Sequence, residues 1–370
     1  MKKLTQFNTV FIIALFACFY LNIQVGQSQN KPYMEEEITF KNGDIILGGT
    51  LTLPKTKGKH PAIVLISGSG AQNRDSELLG FKVFKLIAEH LNAKGIAVLR
   101  YDDRGVGKSS GKTATSTSAD FADDVIAAVK LLEKRSDINP KQIGLLGHSE
   151  GGMIAPLVYQ KYPKVAFLIS MAGTTVAGSE VIWGQTEAML VASGKTKEEI
   201  AAQKKRTMMM FETIKTDKGW DELTKANVEY VLKEIEKLPD AQKSMITDPK
   251  KYATTVINQQ LNAVKTPWYR FFIAHDPKES LESTKCPVLA VFGAKDLQVL
   301  PSQNKPALEQ AMKKGGNKDY TIKTLAEANH LFQKANTGLP TEYASLLKEF
   351  VADFFPTITD WLLKRVTVIK

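Results

Sequence analysis

Two hydrophobic patterns alternate along this chain of 370 residues. Short, continuous apolar runs are typical of strands buried on both faces. They lie at residues 61–66, 143–146, 166–173 and 286–293, and IAVLRYDD at residues 96–103 predicts one more strand. Amphipathic stretches follow several of these runs, and they predict helices at residues 81–94, 119–134 and 306–314. The alternation of strand and helix predicts an α/β fold, with a mostly parallel sheet covered by helices on both faces.

The two ends of the patterned region predict further elements. Residues 35–40 and 45–53 form two strand-like segments, and Asn42 with Gly43 predicts the turn that joins them. Near the other end, YTIKTL at residues 320–325 predicts a strand. A long final helix is expected over residues 341–364.

The pattern changes over residues 176–281, which are polar, rich in Lys and Glu, helical in period and without continuous apolar strands. We interpret this stretch as a helical cap insertion into a core formed by residues 33–175 and 282–370. Because the insertion leaves after one strand and returns before the next, it is expected to cover the cleft at the carboxyl edge of the sheet. Trp268, Tyr269 and Phe271 are candidates to line an acyl pocket, and plain packing between cap and core is the alternative.

The N-terminus has the features of a secretory signal peptide. Lys2 and Lys3 precede an apolar run at residues 10–21, which is shorter than the about 20 residues that a membrane span needs. We interpret residues 1–28 as a cleaved leader, so the protein is expected to be exported, periplasmic or secreted, without stable membrane insertion. The alternatives are an uncleaved anchor or a lipoprotein attached through Cys18. After cleavage Cys286 is the remaining cysteine, which excludes an internal disulfide.

The charge distribution argues against a nucleic-acid partner. The formal net charge is +10, but the lysines are spread over the predicted helices and form no dense basic block with interleaved aromatic residues. The five histidines do not cluster at the spacing of metal ligands. We therefore expect a solvated basic surface and no metal or cofactor.

Candidate chemistry centres on GHSEGG at residues 147–152, directly after a buried run. Gly147, Ser149 and Gly151 fit G-x-S-x-G, in which glycines make room for a serine at a strained strand-to-helix turn. Ser149 is the predicted nucleophile, and the N–H of Glu150 is a predicted oxyanion donor. A second donor is expected from SGSG at residues 67–70, most directly from Ser69.

A serine nucleophile needs a general base, which a histidine can supply. His330 lies in ANHLFQ just after the last predicted strand, at the carboxyl edge where sites in open α/β sheets lie. The other histidines are less suitable because they lie inside the turn, at the opposite sheet edge, within a helix or in the insertion: His148, His60, His90 and His275. His330 is therefore the predicted base.

The acid that orients the base is also expected to follow a strand. Asp296 follows the run at residues 286–293, and it gives the chain order Ser, Asp, His of an α/β-hydrolase. Asp102 and Asp103 are alternatives because they also follow a strand. Their neighbours Arg104 and Lys108 offer simpler salt-bridge partners.

The chain resembles a family of bacterial α/β-hydrolases in five motifs that occur in this order: GSGAQNRD, LRYDDRGVGKS, GHSEGG, FGAKDLQV and NHLFQ. These are esterases related to the serine aminopeptidase and prolyl oligopeptidase groups, and the resemblance spans residues 35–364. It implies a catalytic triad of Ser149, Asp296 and His330, and carboxylesterase activity toward short acyl chains. It also implies that Arg104 and Asp75 are structural residues near the site. SGSG replaces the HG-x-G of many wider relatives, which removes a histidine but no backbone donor.

These observations favour an exported serine hydrolase that cleaves small carboxylic esters through an acyl-enzyme. The first alternative is a small peptidase or amidase of the serine aminopeptidase type. The second is a non-catalytic member of the fold that only binds ligands, and the presence of all three triad residues argues against it.

Overall fold

The computed structural model describes residues 33–369. These residues fold into two compact units. One is an α/β core of residues 33–176 and 276–369, and the other is a helical unit of residues 177–275. The leader predicted over residues 1–28 lies outside the described residues.

The core is built on an eight-stranded sheet with the strand order β1-β2-β6-β3-β7-β8-β9-β10. Strands β4 and β5 form a separate two-stranded ribbon. The strands are β1 (Tyr33–Asn42), β2 (Ile45–Pro54), β3 (His60–Ile66), β4 (Glu77–Leu78), β5 (Phe81–Lys82), β6 (Ala97–Tyr101), β7 (Ile138–His148), β8 (Leu168–Met171), β9 (Val288–Gly293) and β10 (Tyr320–Leu325).

The sheet is parallel from β6 to β10, and its other edge is antiparallel. β1 pairs with β2, and β2 pairs with β6, in antiparallel register. Asn42 pairs with Ile45 across the predicted hairpin, and Gly43 has a φ of 56°, a left-handed conformation that glycine adopts without steric cost. All other neighbours in the sheet are parallel, as the continuous apolar runs predict.

Helices of the core follow most of the strands. Thr117 begins the second of them with a capping box, because its hydroxyl accepts from the Asp120 N–H and the Asp120 carboxylate accepts from the Thr117 N–H. The core helices are α1 (Val83–Asn92), α2 (Ser118–Glu133), α3 (Glu150–Lys161), α10 (Lys278–Ser283), α11 (Pro301–Gly315) and α12 (Phe354–Leu362). Short 3₁₀ segments lie at Thr113–Thr115 and Pro340–Glu342.

Apolar side chains fill both faces of the sheet. In β3, Val64 and Ile66 belong to one buried cluster, whereas Ile63 and Leu65 belong to the other. Successive side chains of a strand point to opposite faces, so a continuous apolar run serves both clusters. The sheet is therefore a rigid base for the loops at its carboxyl edge.

The prediction of a long final helix over residues 341–364 is wrong. Helix α12 begins at Phe354, and residues 343–353 form an irregular segment. The backbone N–H of Val351 donates to the Phe332 carbonyl, and the Gln333 side chain donates to the Leu347 carbonyl. These tertiary bonds use backbone groups that a helix would have paired internally.

The helical unit consists of α4 (Gly178–Ala192), α5 (Lys197–Thr216), α6 (Trp220–Glu236), α7 (Asp240–Lys243), α8 (Pro249–Val264) and α9 (Pro267–Ala274). Met210 of α5 is buried, whereas Met208 and Met209 are exposed. The methionine run therefore contributes one side chain to the packing of this unit.

Among residues 33–369, no helix is both long enough and apolar enough to cross a membrane.

Candidate active site

Ser149 lies at a strained turn between β7 and α3. Its backbone has a φ of 56° and a ψ of −118°, which is uncommon for a residue with a side chain. A Cβ on Gly147 would come within 2.0 Å of the Gly151 carbonyl oxygen, and a Cβ on Gly151 within 2.2 Å of the Ile66 carbonyl oxygen. The glycines are therefore required, as the sequence pattern predicts.

His330 and Asp296 are hydrogen-bonded to each other. The His330 Nδ1 lies 2.8 Å from the Asp296 Oδ2, and both side chains are buried. The other carboxylate oxygen of Asp296 accepts hydrogen bonds from the N–H groups of Gln298 (2.7 Å) and Val299 (2.9 Å). With both oxygens occupied, the carboxylate is fixed and holds the imidazole in one orientation.

His148 supports the loop that carries His330. Its Nε2 lies 3.0 Å from the His330 carbonyl oxygen, and the two imidazole rings are 4.7 Å apart. Burial, and then the nearby charge of His330, lower the pKa of His148 to about 3. The ring is therefore neutral at ordinary pH and donates from Nε2 to the His330 carbonyl.

The loop after β3 packs against Ser149. A Cβ on Gly68 would come within 3.1 Å of the Ser149 Cβ, a tighter contact than most Cβ atoms make, so the glycine backbone lies directly against the serine. Ser69 is exposed, and its carbonyl accepts a hydrogen bond of 3.2 Å from the Gln72 side chain. The predicted donor loop and the predicted nucleophile are thus adjacent.

Glu150 is the first residue of α3, and its side chain is buried. The Ser118 hydroxyl at the start of α2 donates to the carboxylate at 2.6 Å. A carboxylate in the first turn of a helix is favourably placed against the helix dipole. The Glu150 side chain therefore stabilises the start of α3, and its hydrogen bond from Ser118 joins it to the start of α2.

The alternative acids have other partners. Asp102 pairs with Arg74, with 2.7 Å between the Arg74 Nη2 and the Asp102 Oδ2. Asp103 accepts from the Ser67 hydroxyl at 2.6 Å and from the Gln72 N–H at 2.8 Å.

The salt bridges predicted from sequence neighbours are wrong for both aspartates. Arg104 pairs with Asp124 at 2.7 Å, and the Lys108 ammonium pairs with Glu37 at 2.8 Å. Lys108 reaches Asp102 only through its backbone N–H, at 3.0 Å. The other residue with an implied structural role, Asp75, pairs with Arg100.

The aromatic candidates lie in α9 of the helical unit. Tyr269 is buried, and burial raises its pKa well above the ordinary value. Trp268 stacks on Phe272 with 5.5 Å between ring centroids, and Phe271 stacks on His275 at 5.1 Å. Each ring thus has an aromatic neighbour within the unit itself.

Sequence reasoning missed Tyr343, which lies close to the acid. Its buried hydroxyl accepts a hydrogen bond of 3.0 Å from the Gln298 side chain. Burial, and then the negative charge of Asp296, raise the pKa of Tyr343 far above the usual range. The periodicity of the segment suggested a helix, so no sequence signal marked this residue.

Within residues 33–369, no three His, Cys, Asp or Glu side chains form a group that could hold a metal ion.

The core has the features of an α/β-hydrolase fold. These are the parallel sheet, the strained serine turn after β7, and the aspartate and histidine on the loops after β9 and β10. Solved structures confirm this fold. An esterase of Pyrococcus furiosus superposes with a TM-score of 0.54 and 13% identity, covering 94% of this chain and 97% of that chain. The α/β hydrolase GrgF of Penicillium sp. sh18 superposes with a TM-score of 0.53 and 17% identity, covering 90% and 99%.

The family of the chain follows from its sequence match. Residues 81–334 match the Hydrolase_4 family, described as serine aminopeptidase, S33. The chain belongs to this family, which confirms the resemblance seen in its motifs. Esterase EstD of Thermotoga maritima is 27% identical over 312 residues, which cover 84% of this chain and 63% of EstD.

Proposed function

We propose that this protein is a serine hydrolase of small carboxylic esters, with Ser149 as nucleophile, His330 as base and Asp296 as the acid that orients the base. The observation that carries the proposal is the buried hydrogen bond of 2.8 Å between the His330 Nδ1 and the Asp296 Oδ2. With its Nδ1 proton donated to the carboxylate, His330 has a free lone pair on Nε2, which is the atom that must accept the serine proton.

The proposed reaction has two halves. Ser149 Oγ attacks the ester carbonyl while His330 takes its proton, and collapse of the tetrahedral intermediate expels the alcohol, which receives that proton. Water, deprotonated by His330, then attacks the acyl-enzyme; the bond between the acyl carbon and Ser149 Oγ breaks, His330 returns the proton to Oγ, and the carboxylic acid is released. The N–H groups of Glu150 and Ser69 stabilise the oxyanion in both halves, and each donor contributes about 2.7–4 kcal/mol in such sites.

Two further observations support the proposed nucleophile and substrate. EstD carries the name esterase, and its match covers most of this chain, although it spans only 63% of EstD. The G-x-S-x-G turn is formed at Ser149 with the strained backbone that exposes a nucleophile above a sheet edge.

Amide cleavage is the second candidate, because the family is described as serine aminopeptidase, S33. Ser149 would then attack the carbonyl of an N-terminal residue while His330 takes its proton, and the amine would leave with that proton. An amine leaving group needs protonation by His330 more than an alkoxide does, so the two activities differ in rate on one site.

The helical unit is proposed to select the acyl chain through α9. This insertion leaves the core after β8 and returns before β9 in the chain. Trp268 and Phe271 are half-buried and offer apolar surface that short acyl groups would contact, whereas Tyr269 is buried and would act through its packing on Trp268. This proposal includes a preference for short chains.

Export is proposed from the N-terminal sequence. The leader interpretation predicts a mature N-terminus near Gln29. Mass spectrometry of the cell-associated protein would detect that terminus. An intact Met1 would instead support an anchor, and a lipid on Cys18 a lipoprotein.

A panel of 4-nitrophenyl esters and aminoacyl anilides tests the proposed activity. We expect turnover of short esters that exceeds turnover of the anilides. Faster cleavage of the anilides would favour the peptidase. No turnover of either series by the folded protein would contradict a hydrolase.

A further inference from the structure

A single side chain at the end of β6 holds both ends of the loop that carries Ser69. Asp103 Oδ1 accepts the Ser67 hydroxyl at 2.6 Å, and Asp103 Oδ2 accepts the Gln72 N–H at 2.8 Å. The Asp103 N–H also donates to the Gln72 carbonyl at 3.1 Å. The loop between Ser67 and Gln72 is therefore fixed at both of its ends.

Gln72 extends this support into the loop itself. Its side-chain Nε2 donates to the Ser69 carbonyl at 3.2 Å, while its Oε1 accepts the Ser76 hydroxyl at 2.6 Å. Gly68, between the two anchored ends, lies against Ser149. A shift at Ser67 or Gln72 would consequently move the backbone next to the nucleophile.

We propose that Asp103 is a positioning residue that orients the oxyanion loop through Ser67 and Gln72, so that the Ser69 N–H is aligned on the tetrahedral intermediate. This inference rests on the proposed function, because the oxyanion forms only when a carbonyl is attacked by Ser149. Alignment of such donors within fractions of an ångström is what gives them their catalytic value.

The surroundings of Asp103 disfavour the ionised form of its carboxylate. Within residues 33–369 no lysine or arginine pairs with it, and the neighbouring carboxylates of Glu150 (α3) and Asp102 (β6 end) have the same sign. Arg104 and Asp124 line the same cavity as Asp103 and are paired with each other. Burial raises the pKa of Asp103 to about 7; the two like charges add to this effect, and the hydrogen bonds from Ser67 and Gln72 oppose it.

Because of the raised pKa, removal of the Asp103 charge is expected to affect stability and activity differently. The folded state favours protonated Asp103 more than the unfolded chain does, so the free energy of unfolding decreases as the pH rises from about 4 to about 7. Removing the charge should therefore not lower stability at pH 8. A residue with a purely structural role would lose stability and activity together.

The experiment compares Asp103→Ala, Ser67→Ala and Asp103→Asn with wild type. Asp103→Ala removes both side-chain bonds, Ser67→Ala removes one, and Asp103→Asn retains the size and an acceptor for the Gln72 N–H. With a short 4-nitrophenyl ester at pH 8, we expect kcat to fall about 100-fold in Asp103→Ala and about 10-fold in the other two, with KM within about 3-fold. The Tm of Asp103→Asn at pH 8 should equal or exceed that of wild type.

Asp102→Asn is the matched control, because it removes the carboxylate next in sequence, which is bonded to Arg74 and not to the Ser67–Gln72 loop. We expect it to lower Tm and to keep kcat within about 3-fold of wild type. Wild-type kcat in both folded Asp103→Asn and Ser67→Ala would overturn the proposal. A parallel loss of Tm and kcat in Asp103→Asn would also overturn it.

Hydrogen exchange provides a readout that does not need turnover. Amides of residues 67–72 should exchange faster in Ser67→Ala and Asp103→Asn than in wild type, and unchanged exchange in both would contradict the positioning role. If wild type fails to hydrolyse any ester, the proposed function fails, and exchange still decides whether Asp103 holds the loop.

Discussion

Asp296→Asn tests the assignment of the orienting acid. The asparagine can retain the acceptor for the Gln298 and Val299 N–H groups, which lie 2.7 and 2.9 Å from the present Oδ1. Its amide nitrogen then faces the His330 Nδ1, where the carboxylate oxygen now lies at 2.8 Å. An NH₂ group can only donate to that nitrogen, so the imidazole proton must move to Nε2.

This tautomer cannot accept the serine proton, so we expect a large loss of activity. When the acid of such triads is neutralised, kcat falls about 10⁴-fold, which corresponds to about 5.5 kcal/mol in the activation free energy. Because the bonds to Gln298 and Val299 persist, the free energy of unfolding should fall by only about 1 kcal/mol.

The assay is ester hydrolysis under saturating substrate, with a thermal melt of the same sample. Asp124→Asn is the matched control, since it also removes a buried carboxylate, the one paired with Arg104. It should lose stability and retain kcat. If folded Asp296→Asn keeps more than about a tenth of the wild-type kcat, the tautomer argument is refuted.

Three other changes test separate parts of the account. Tyr343→Phe removes the hydroxyl bonded to Gln298, and it should lower kcat about 5-fold to 10-fold at unchanged KM, because one hydrogen bond near the acid is worth about 1 kcal/mol. A kcat equal to that of wild type in steady-state assays would contradict this prediction. His148→Gln should unfold less readily in acid than wild type. The buried imidazole of wild type has a pKa of about 3 in place of 6.5, so the folded protein loses stability as the pH falls from about 6.5 to about 3. Identical melts of the two proteins between pH 4 and pH 7 would refute this prediction. Trp268→Ala should change the preference between short and longer acyl esters by about 1–3 kcal/mol in kcat/KM, and an unchanged ranking would remove Trp268 from acyl selection.

The sheet and the serine turn could be predicted from the sequence because both depend on the pattern of residues within a short segment. Residues 61–66 are apolar at every position, and so short a run, rich in β-branched residues, is typical of a strand covered on both faces. The glycines on either side of Ser149 are required by backbone contacts under 2.5 Å that any Cβ would make. His330 and Asp296 could be paired in advance because each follows a strand at the same edge of the sheet.

Interactions between distant parts of the chain could not be derived from local patterns. Asp102 pairs with Arg74, which is 28 positions away, and neither neighbouring cation competes for its carboxylate. Residues 343–353 have a helix-like period, yet the Val351 N–H and the Leu347 carbonyl bond to the loop around Phe332. Tertiary hydrogen bonds override helix propensity there, and the resulting position of Tyr343 beside Gln298 leaves no mark in the local sequence.

Covalent labelling of Ser149 tests the central claim most directly. A fluorophosphonate probe phosphonylates an activated serine, and peptide mass spectrometry locates the adduct. We predict stoichiometric modification of Ser149 in wild type, no modification of Ser149→Ala, and greatly slowed labelling of Asp296→Asn. An adduct on another serine, or equal labelling of wild type and folded Ser149→Ala, would contradict Ser149 as the nucleophile.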